Sequence, residues 1–369
     1  MLNELLQSGW GALTEYLSAH VLTCLIPAFF IAGAIAVFIS QAAVIHYFGP
    51  KAKRWLAYTI ASLSGAILAV CSCTILPLFA GIRQRGAGLG PAIAFLYSGP
   101  AINVLAIIYS AQLLGFDLGA ARAVGAISFS VIIGLIMAII FRKQEEKLYS
   151  ENTEWVYTTE DDDNSHSLSQ IVPYFAAMIV LLVASSSIAL AVEIIAHTES
   201  DRWSLVFKGK PVPAFIAVVF LIAVIIMAAR WYKRNEISQW MYETWNLTKK
   251  IVPILLLGVF IAGMVKALLP EYVVQRWVGG NSVWNNLFAS VFGSLMYFST
   301  LTEVPIVRAL MDLGMGKGPA LTLLLAGSSL SLPNMIVIGR VMGVKRTAVY
   351  ILLVIVLSTV AGTLFGKFI

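Results

Sequence analysis

Apolar residues fall along the 369-residue chain in ten runs, most of them near the roughly 20 residues that a helix needs to cross a bilayer. They cover about 21–40, 55–82, 91–114, 121–141, 171–195, 214–231, 251–269, 286–310, 319–341 and 347–368. Polar positions gather between the runs. Residues 142–163 hold eleven of the 44 Asp, Glu, Lys and Arg residues and end in Glu160-Asp161-Asp162-Asp163. Such a stretch does not belong in hydrocarbon and reads as a solvated linker. The pattern predicts an all-α polytopic membrane protein of about ten apolar segments.

The pattern also repeats. A shift of 228 residues aligns 61–99 with 289–327 without a gap, and twelve of the 39 columns are identical: Ala61, Ser62, Gly65, Thr74, Pro77, Gly86, Gly88, Gly90, Pro91, Ala92, Leu96 and Gly99. Most of these are Gly, Pro, Ser or Thr, which shared hydrophobicity alone would not match. Upstream, Phe30-Ile31-Ala32-Gly33 matches Phe260-Ile261-Ala262-Gly263 at a shift of 230. The fourth and tenth runs match weakly, through Arg122 and Arg346 in the loops taken to precede them.

Two four-helix repeats with broken helices, joined by two intervening helices, follow from this. The expected organisation is an interfacial N-terminal segment (1–20), a first membrane repeat (21–141), a charged cytoplasmic linker (142–168), two intervening helices with a basic loop (169–250) and a second membrane repeat (251–369). If every run crosses once, six spans separate equivalent helices and the repeats are parallel. If one segment in each repeat enters and returns, the repeats are inverted. The spacing leaves both open.

Composition narrows the class. The chain is 59% hydrophobic and 12% charged, with a mean hydropathy of +0.86. A soluble domain carries about 25% charged residues. The formal charge of +6 reads as cations flanking membrane spans, not as a nucleic-acid surface. The N-terminal 20 residues lack a basic stretch and carry Glu4 and Glu15, so they read as an interfacial lead-in and not a cleaved signal. Three cysteines make no disulfide framework. No cofactor motif is expected, since the GxGxG turns lack the strand of a nucleotide loop. The oligomeric state is not legible.

Candidate chemistry sits where the runs are interrupted. Ser98-Gly99-Pro100 interrupts the third run, and Gly327-Ser328-Ser329 with Pro333 the ninth. Transporters bind substrate at discontinuous helices near the midplane. Non-helical backbone survives there only when buried in protein or lining a cavity. Asn103 and Asn334 stand just past the breaks, each with an acceptor and two donors. They either line the substrate path or satisfy carbonyls at a packing kink. Pro77 and Pro305 mark two further expected breaks. Gly86–Ala92 and Gly314–Ala320 are the closest-matching stretches, read as tight interhelical turns in preference to anion sites.

Cys71 and Cys73 are one residue apart in the second run. Residues i and i+2 of a helix diverge by about 200°, so the pair shares a ligand only where the helix is broken. Paired thiolates favour soft species such as Cu(I) and, by the same logic, trivalent arsenic. The alternative is two small packing residues, and for Cys24 packing is the preferred reading. In the second repeat these positions become Ser299 and Leu301, while Ile75 becomes Glu303. An ionisable group inside a span is a functional candidate by default. Glu303 is read as a proton-coupling or gating residue, with a structural tie to exposed N–H groups as the alternative.

An enzyme fits poorly. The four histidines lie at run ends or in the linker, leaving Ser328 and Ser329 without a base. A non-transport membrane subunit remains the other class.

Cys71-Ser72-Cys73-Thr74-Ile75-Leu76-Pro77, the GxGxGPA turn and Ser98-Gly99-Pro100-Ala101-Ile102-Asn103 resemble a family of bacterial and archaeal permeases that includes trivalent organoarsenical efflux permeases. The similarity covers nearly the whole chain. It implies a multi-pass inner-membrane permease whose partners are a small-molecule or metalloid substrate and the lipid bilayer. Efflux of methylarsenite-like compounds is one candidate activity, with the thiol role falling on Cys71 and Cys73.

Overall fold

The apolar runs fold as helices wherever they are described, and among the described residues no strand occurs. The computed structural model describes residues 2–17, 25–38, 53–68, 72–147, 168–197, 212–268, 277–297 and 303–368. The first repeat carries α2 (Ile26–Phe38), α3 (Arg54–Leu68), α4 (Ser72–Gln84), α5 (Leu89–Ala101), α6 (Val104–Leu113) and α7 (Phe116–Ile140), after an N-terminal α1 (Leu2–Tyr16). The intervening helices are α8 (Leu168–His197) and α9 (Val212–Trp231). The second repeat carries α10 (Arg234–Leu268), α11 (Val283–Leu295), α12 (Glu303–Asp312), α13 (Lys317–Gly327), α14 (Leu332–Met342) and α15 (Val344–Phe368).

Three helices among the described residues are long and apolar enough to cross a membrane: α7, α15 and the Arg234–Ile261 part of α10. The pairs α5–α6 and α13–α14 qualify as two more if each bent pair is one span. The chain is a multi-pass, all-α membrane protein.

α7 and α15 are both 25 residues long and related by the 228 shift at both ends. The register therefore holds through the fourth and tenth runs. It aligns Arg122 with Tyr350, and the weak Arg122/Arg346 match is superseded. Arg122 lies inside α7, not in the loop before it.

The two equivalent spans run antiparallel. Just past the end of α7, the Glu145 carboxylate lies 3.0 Å from Arg346 near the start of α15. The Arg346 guanidinium also sits 5.8 Å from the centre of the Phe141 ring. A parallel pairing would align Arg346 with Leu118, about 40 Å of helix away from Glu145. Equivalent spans that cross in opposite directions make the repeats inverted.

The second run explains the inversion. α3 and α4 have 15 and 13 residues, about 20 Å each, short of the roughly 30 Å hydrocarbon core. Their outer ends lie together near the start of α5. The Tyr58 ring edge is 2.8 Å from where a Cβ on Gly134 would stand, and that Cβ would lie 2.7 Å from the Gly90 carbonyl oxygen. Arg83 donates to the Ala87 carbonyl and to Glu145. Farther in, Ser98 donates to the Ala61 carbonyl, and Ile75 abuts Gly99. The two arms thus run from the start of α5 towards its end and back.

α11 and α12 repeat this around α13. The Gly316 N–H bonds to the Val278 carbonyl ahead of α11 at the start of α13, Thr322 donates to Asn286 midway along it, and Gly293 and Glu303 both abut Gly327 at its end.

Close approach of these helices depends on glycine. A Cβ on Gly134 would press on the Gly90 carbonyl, and one on Gly362 would stand 2.5 Å from the Gly318 carbonyl oxygen. The two pairs are related by the 228 shift, as small-residue contacts between membrane helices would be in duplicated units. Gly86 and Gly314 take positive φ values of 89° and 104°, which end α4 and α12 in tight turns. The N–H groups of Ala87 and Met315 bond back to the Ile82 and Leu310 carbonyls. An aromatic cluster of Phe38, Tyr174, Tyr232 and Trp240 joins α2 to α8 and α10.

Candidate functional site

The repeats meet where α5 and α13 face each other. The Tyr97 hydroxyl donates to the Leu325 carbonyl at 3.2 Å. Residues 97 and 325 are repeat equivalents, so this bond lies at the pseudo-two-fold axis. Both broken helices interrupt beside it. α5 ends at Ala101 and α6 begins at Val104, with Ile102 and Asn103 between them. α13 ends at Gly327 and α14 begins at Leu332, with Ser328–Ser331 between them and a change of direction of 43°.

The breaks differ in how their polar groups are met. At the first, Ser98 donates to the Phe95 carbonyl at 3.1 Å, and the Asn103 side-chain oxygen accepts from the Ala106 N–H at 3.3 Å. At the second, Asn334 Oδ1, Ser328 Oγ and Ser331 Oγ are buried with no protein partner. Ser329 Oγ is likewise buried with no protein partner. Orphaned buried polar atoms of this kind are uncommon and expensive.

Glu303 is the first residue of α12 and is 1% exposed. One carboxylate oxygen accepts from Arg122 at 3.2 Å, and Arg122 is itself fully buried in α7. Arg122 also donates to Ser110 at 2.9 Å, and Ser110 passes its own hydrogen to the Ala106 carbonyl at 2.7 Å. The other carboxylate oxygen has no protein partner and lies against Gly327, where a Cβ would stand 2.6 Å from it. The ion pair therefore ties a span of the first repeat to the returning arm of the second, beside the second break. Tyr350, the repeat equivalent of Arg122, is fully buried with an unpartnered hydroxyl.

The remaining expected residues fall as follows. Cys24 and Cys71 lie outside the described residues, as do Ser299 and Leu301. Cys73 is the second residue of α4. Pro77 stands inside α4 and Pro305 in the first turn of α12, so neither ends its helix. A proline near a helix start displaces few intrahelical donors. Gly99 and Pro100 are the third-last and second-last residues of α5, and the interruption comes just after them. Pro333 opens α14, packed on Gly258 of α10.

Sequence reasoning passed over Arg122, Tyr97, Ser110, Ser331 and Tyr350. An Arg set among Ala-Ala and Ala-Val was a usable signal. It stands one residue inside the fourth run and six residues past the start of α7.

The model of the family described as "Predicted permease" matches residues 8–367. The UPF0718 protein MJ0584 of Methanocaldococcus jannaschii is 43% identical over 359 residues, covering 96% of this chain and 94% of its own. The UPF0718 protein YraQ of Escherichia coli is 23% identical over 287 residues, covering 78% and 60%. The UPF0718 protein YcgR of Bacillus subtilis is 26% identical over 117 residues, covering 31% and 39%. No solved structure matches the chain. With inverted repeats, returning helix pairs and two interrupted spans meeting at one axis, and with the family model spanning nearly its whole length, this chain belongs to the predicted permease family.

Proposed function

We propose that this permease is a secondary transporter of the inner (plasma) membrane that exports a small thiophilic compound such as a trivalent organoarsenical. The substrate passes between the two interrupted spans. Ser98 and Asn103 line the first break, and Ser328, Ser329 and Asn334 the second. Cys71 and Cys73 supply soft ligands. Glu303 couples or gates the movement through its pairing with Arg122. The observation that carries this reading is the axis itself, where two interrupted helices meet beside a buried ion pair. Inverted repeats with a midplane site suit alternating access, in which one unit rocks against the other. The Cys-Ser-Cys triplet runs into α4, whose Ile75 abuts Gly99 just before the first break.

Efflux-linked resistance in a sensitive host tests it. Wild type and Cys71→Ser/Cys73→Ser are compared under trivalent methylarsenical, arsenite and copper challenge. Protection lost only in the cysteine variant, at equal membrane expression, is the expected result. Protection that survives without the cysteines moves the recognition site to the breaks. Absence of protection by wild type removes the thiophilic substrate and leaves a permease for another small solute or ion.

A further inference from the structure

The geometry points to the second break as a binding site for a small uncharged solute that carries several hydroxyl groups; this rests on the proposed transport path and names the form of substrate it takes. The unpartnered atoms around Ser328–Ser331 set the chemistry. Glu303 Oε1 and Asn334 Oδ1 can only accept hydrogen bonds, while Ser328 and Ser331 can donate or accept. Arg122 Nε, which can only donate, is also unpartnered. A ligand that satisfies the set must bring donors and at least one acceptor. Hydroxyl groups bring both.

Charge is excluded by what is already there. Arg122 and Glu303 neutralise each other, with 0% and 1% of their side chains exposed. The other buried charges among the described residues lie elsewhere: Glu145 with Arg83 and Arg346 near the end of α7, and Glu236 at the start of α10. A cation at Glu303 Oε1 would stand beside the Arg122 guanidinium, and an anion near Arg122 would stand beside the Glu303 carboxylate. Neither meets a free counter-charge, and a buried charge without one carries a heavy desolvation penalty.

The duplication isolates the site. At the first break Ile75 replaces Glu303 and fills the space against Gly99, so the hydroxyl-binding features gather at the second break, with Arg122 reaching it from the first repeat. Gly327 admits the carboxylate to this position: a Cβ there would collide with its oxygen. Trivalent arsenic in water at neutral pH is a neutral hydroxide, As(OH)3 or its methyl analogue, and fits this description without any thiol.

Boric acid separates this inference from the thiol reading, because it is a neutral trihydroxide with no affinity for sulfur. Purified full-length protein in nanodiscs is titrated at pH 7 with boric acid, followed by boron NMR line width, and with arsenous acid, followed by bound arsenic. Arsenate serves as the charged control. Four chains are compared: wild type, Cys71→Ser/Cys73→Ser, Asn334→Leu and Ser328→Ala/Ser331→Ala. Each is checked for a monodisperse elution profile, and the serine pair guards against misfolding of Asn334→Leu.

Boric acid should bind wild type and the cysteine variant alike and weaken about tenfold or more in the other two, as loss of a buried hydrogen-bonding group predicts. Arsenate should not bind. No boric acid binding by wild type, or binding unchanged in both break variants, overturns the inference and leaves the orphaned atoms to water. Arsenous acid held only through the cysteines, with no boric acid bound, also overturns it while the thiophilic exporter stands. Boric acid bound with no arsenical supports the site and removes the arsenical substrate.

Discussion

Arg122 and Glu303 illustrate how much a single pair decides. Two charges buried in a membrane bundle repay their desolvation only with good geometry and further hydrogen bonds. Here Ser110 meets one arm of the guanidinium, and Glu303 meets another. Removing one partner strands the other, so Arg122→Leu should destabilise the protein by about 3–5 kcal/mol. A double change, Arg122→Leu with Glu303→Leu, should recover most of that stability without recovering transport. Thermal unfolding in detergent reads the first effect, and vesicle flux the second; a double variant as unstable as the single would argue against the pair as the cause. Glu303→Gln keeps the shape and should uncouple flux from a pH gradient. Full gradient-driven flux in that variant would remove Glu303 from the coupling. Glu303 was legible as an intramembrane carboxylate. Its partner lies 181 residues away in sequence, and nothing in local periodicity joins the two.

At the scale of elements, the glycine crossings carry the architecture. Gly90 with Gly134 and Gly318 with Gly362 let α5 meet α7 and α13 meet α15 backbone to backbone. Overpacking such contacts costs about 1–3 kcal/mol each. Gly134→Val and Gly362→Val should each lower the unfolding midpoint in detergent. Gly11→Ala, where a Cβ meets nothing within 4 Å, should leave it unchanged. Equal effects at all three sites would deny the crossings their role. The 228 shift exposed Gly90 and Gly318 as a matched column, whereas Gly134 and Gly362 lie beyond the 61–99 alignment and pair only once α7 and α15 are in register. Proline was the less faithful guide. Pro77 and Pro305 stand within helices, whereas the second interruption falls on Ser328–Ser331, ahead of Pro333. What ends α13 is the Gly-Ser-Ser sequence and the packing around it.

The whole molecule is built from two copies of one unit facing opposite ways. α7 and α15 are matched in sequence and antiparallel in space, joined near one face by Glu145 and Arg346. The same carboxylate accepts from Arg83 and from the Leu89 N–H at the start of α5, so one residue gathers α4, α5 and α15 at the end of α7. Inversion predicts that the starts of α7 and α15 lie on opposite sides of the membrane. Phe116 and Val344 are 78% and 80% exposed, which makes them suitable probes. In a background without native cysteines, Phe116→Cys and Val344→Cys should react with a membrane-impermeant maleimide from opposite sides. Labelling of both from one side would overturn the inverted arrangement.

The sequence by itself determined the solvent and the repeat, and pointed to the stretches where α5 and α13 end but also to Pro77 and Pro305, which stand within helices. These rest on local composition and on residues compared at a fixed shift, which need no knowledge of contacts. It also singled out Glu303, because a carboxylate in an apolar run has a free-energy cost that must be met somewhere. Tertiary structure decided the direction of the repeats, since parity depends on whether the second run crosses or returns, and an apolar run reads the same either way. It also decided which polar groups find partners. Asn103 immediately precedes α6 and is met by the Ala106 N–H, while Asn334 is the third residue of α14 and its Oδ1 is left open. Packing sets where each helix restarts after its break: a side chain just ahead of the first turn meets free N–H groups, and one inside the helix meets N–H groups already bonded.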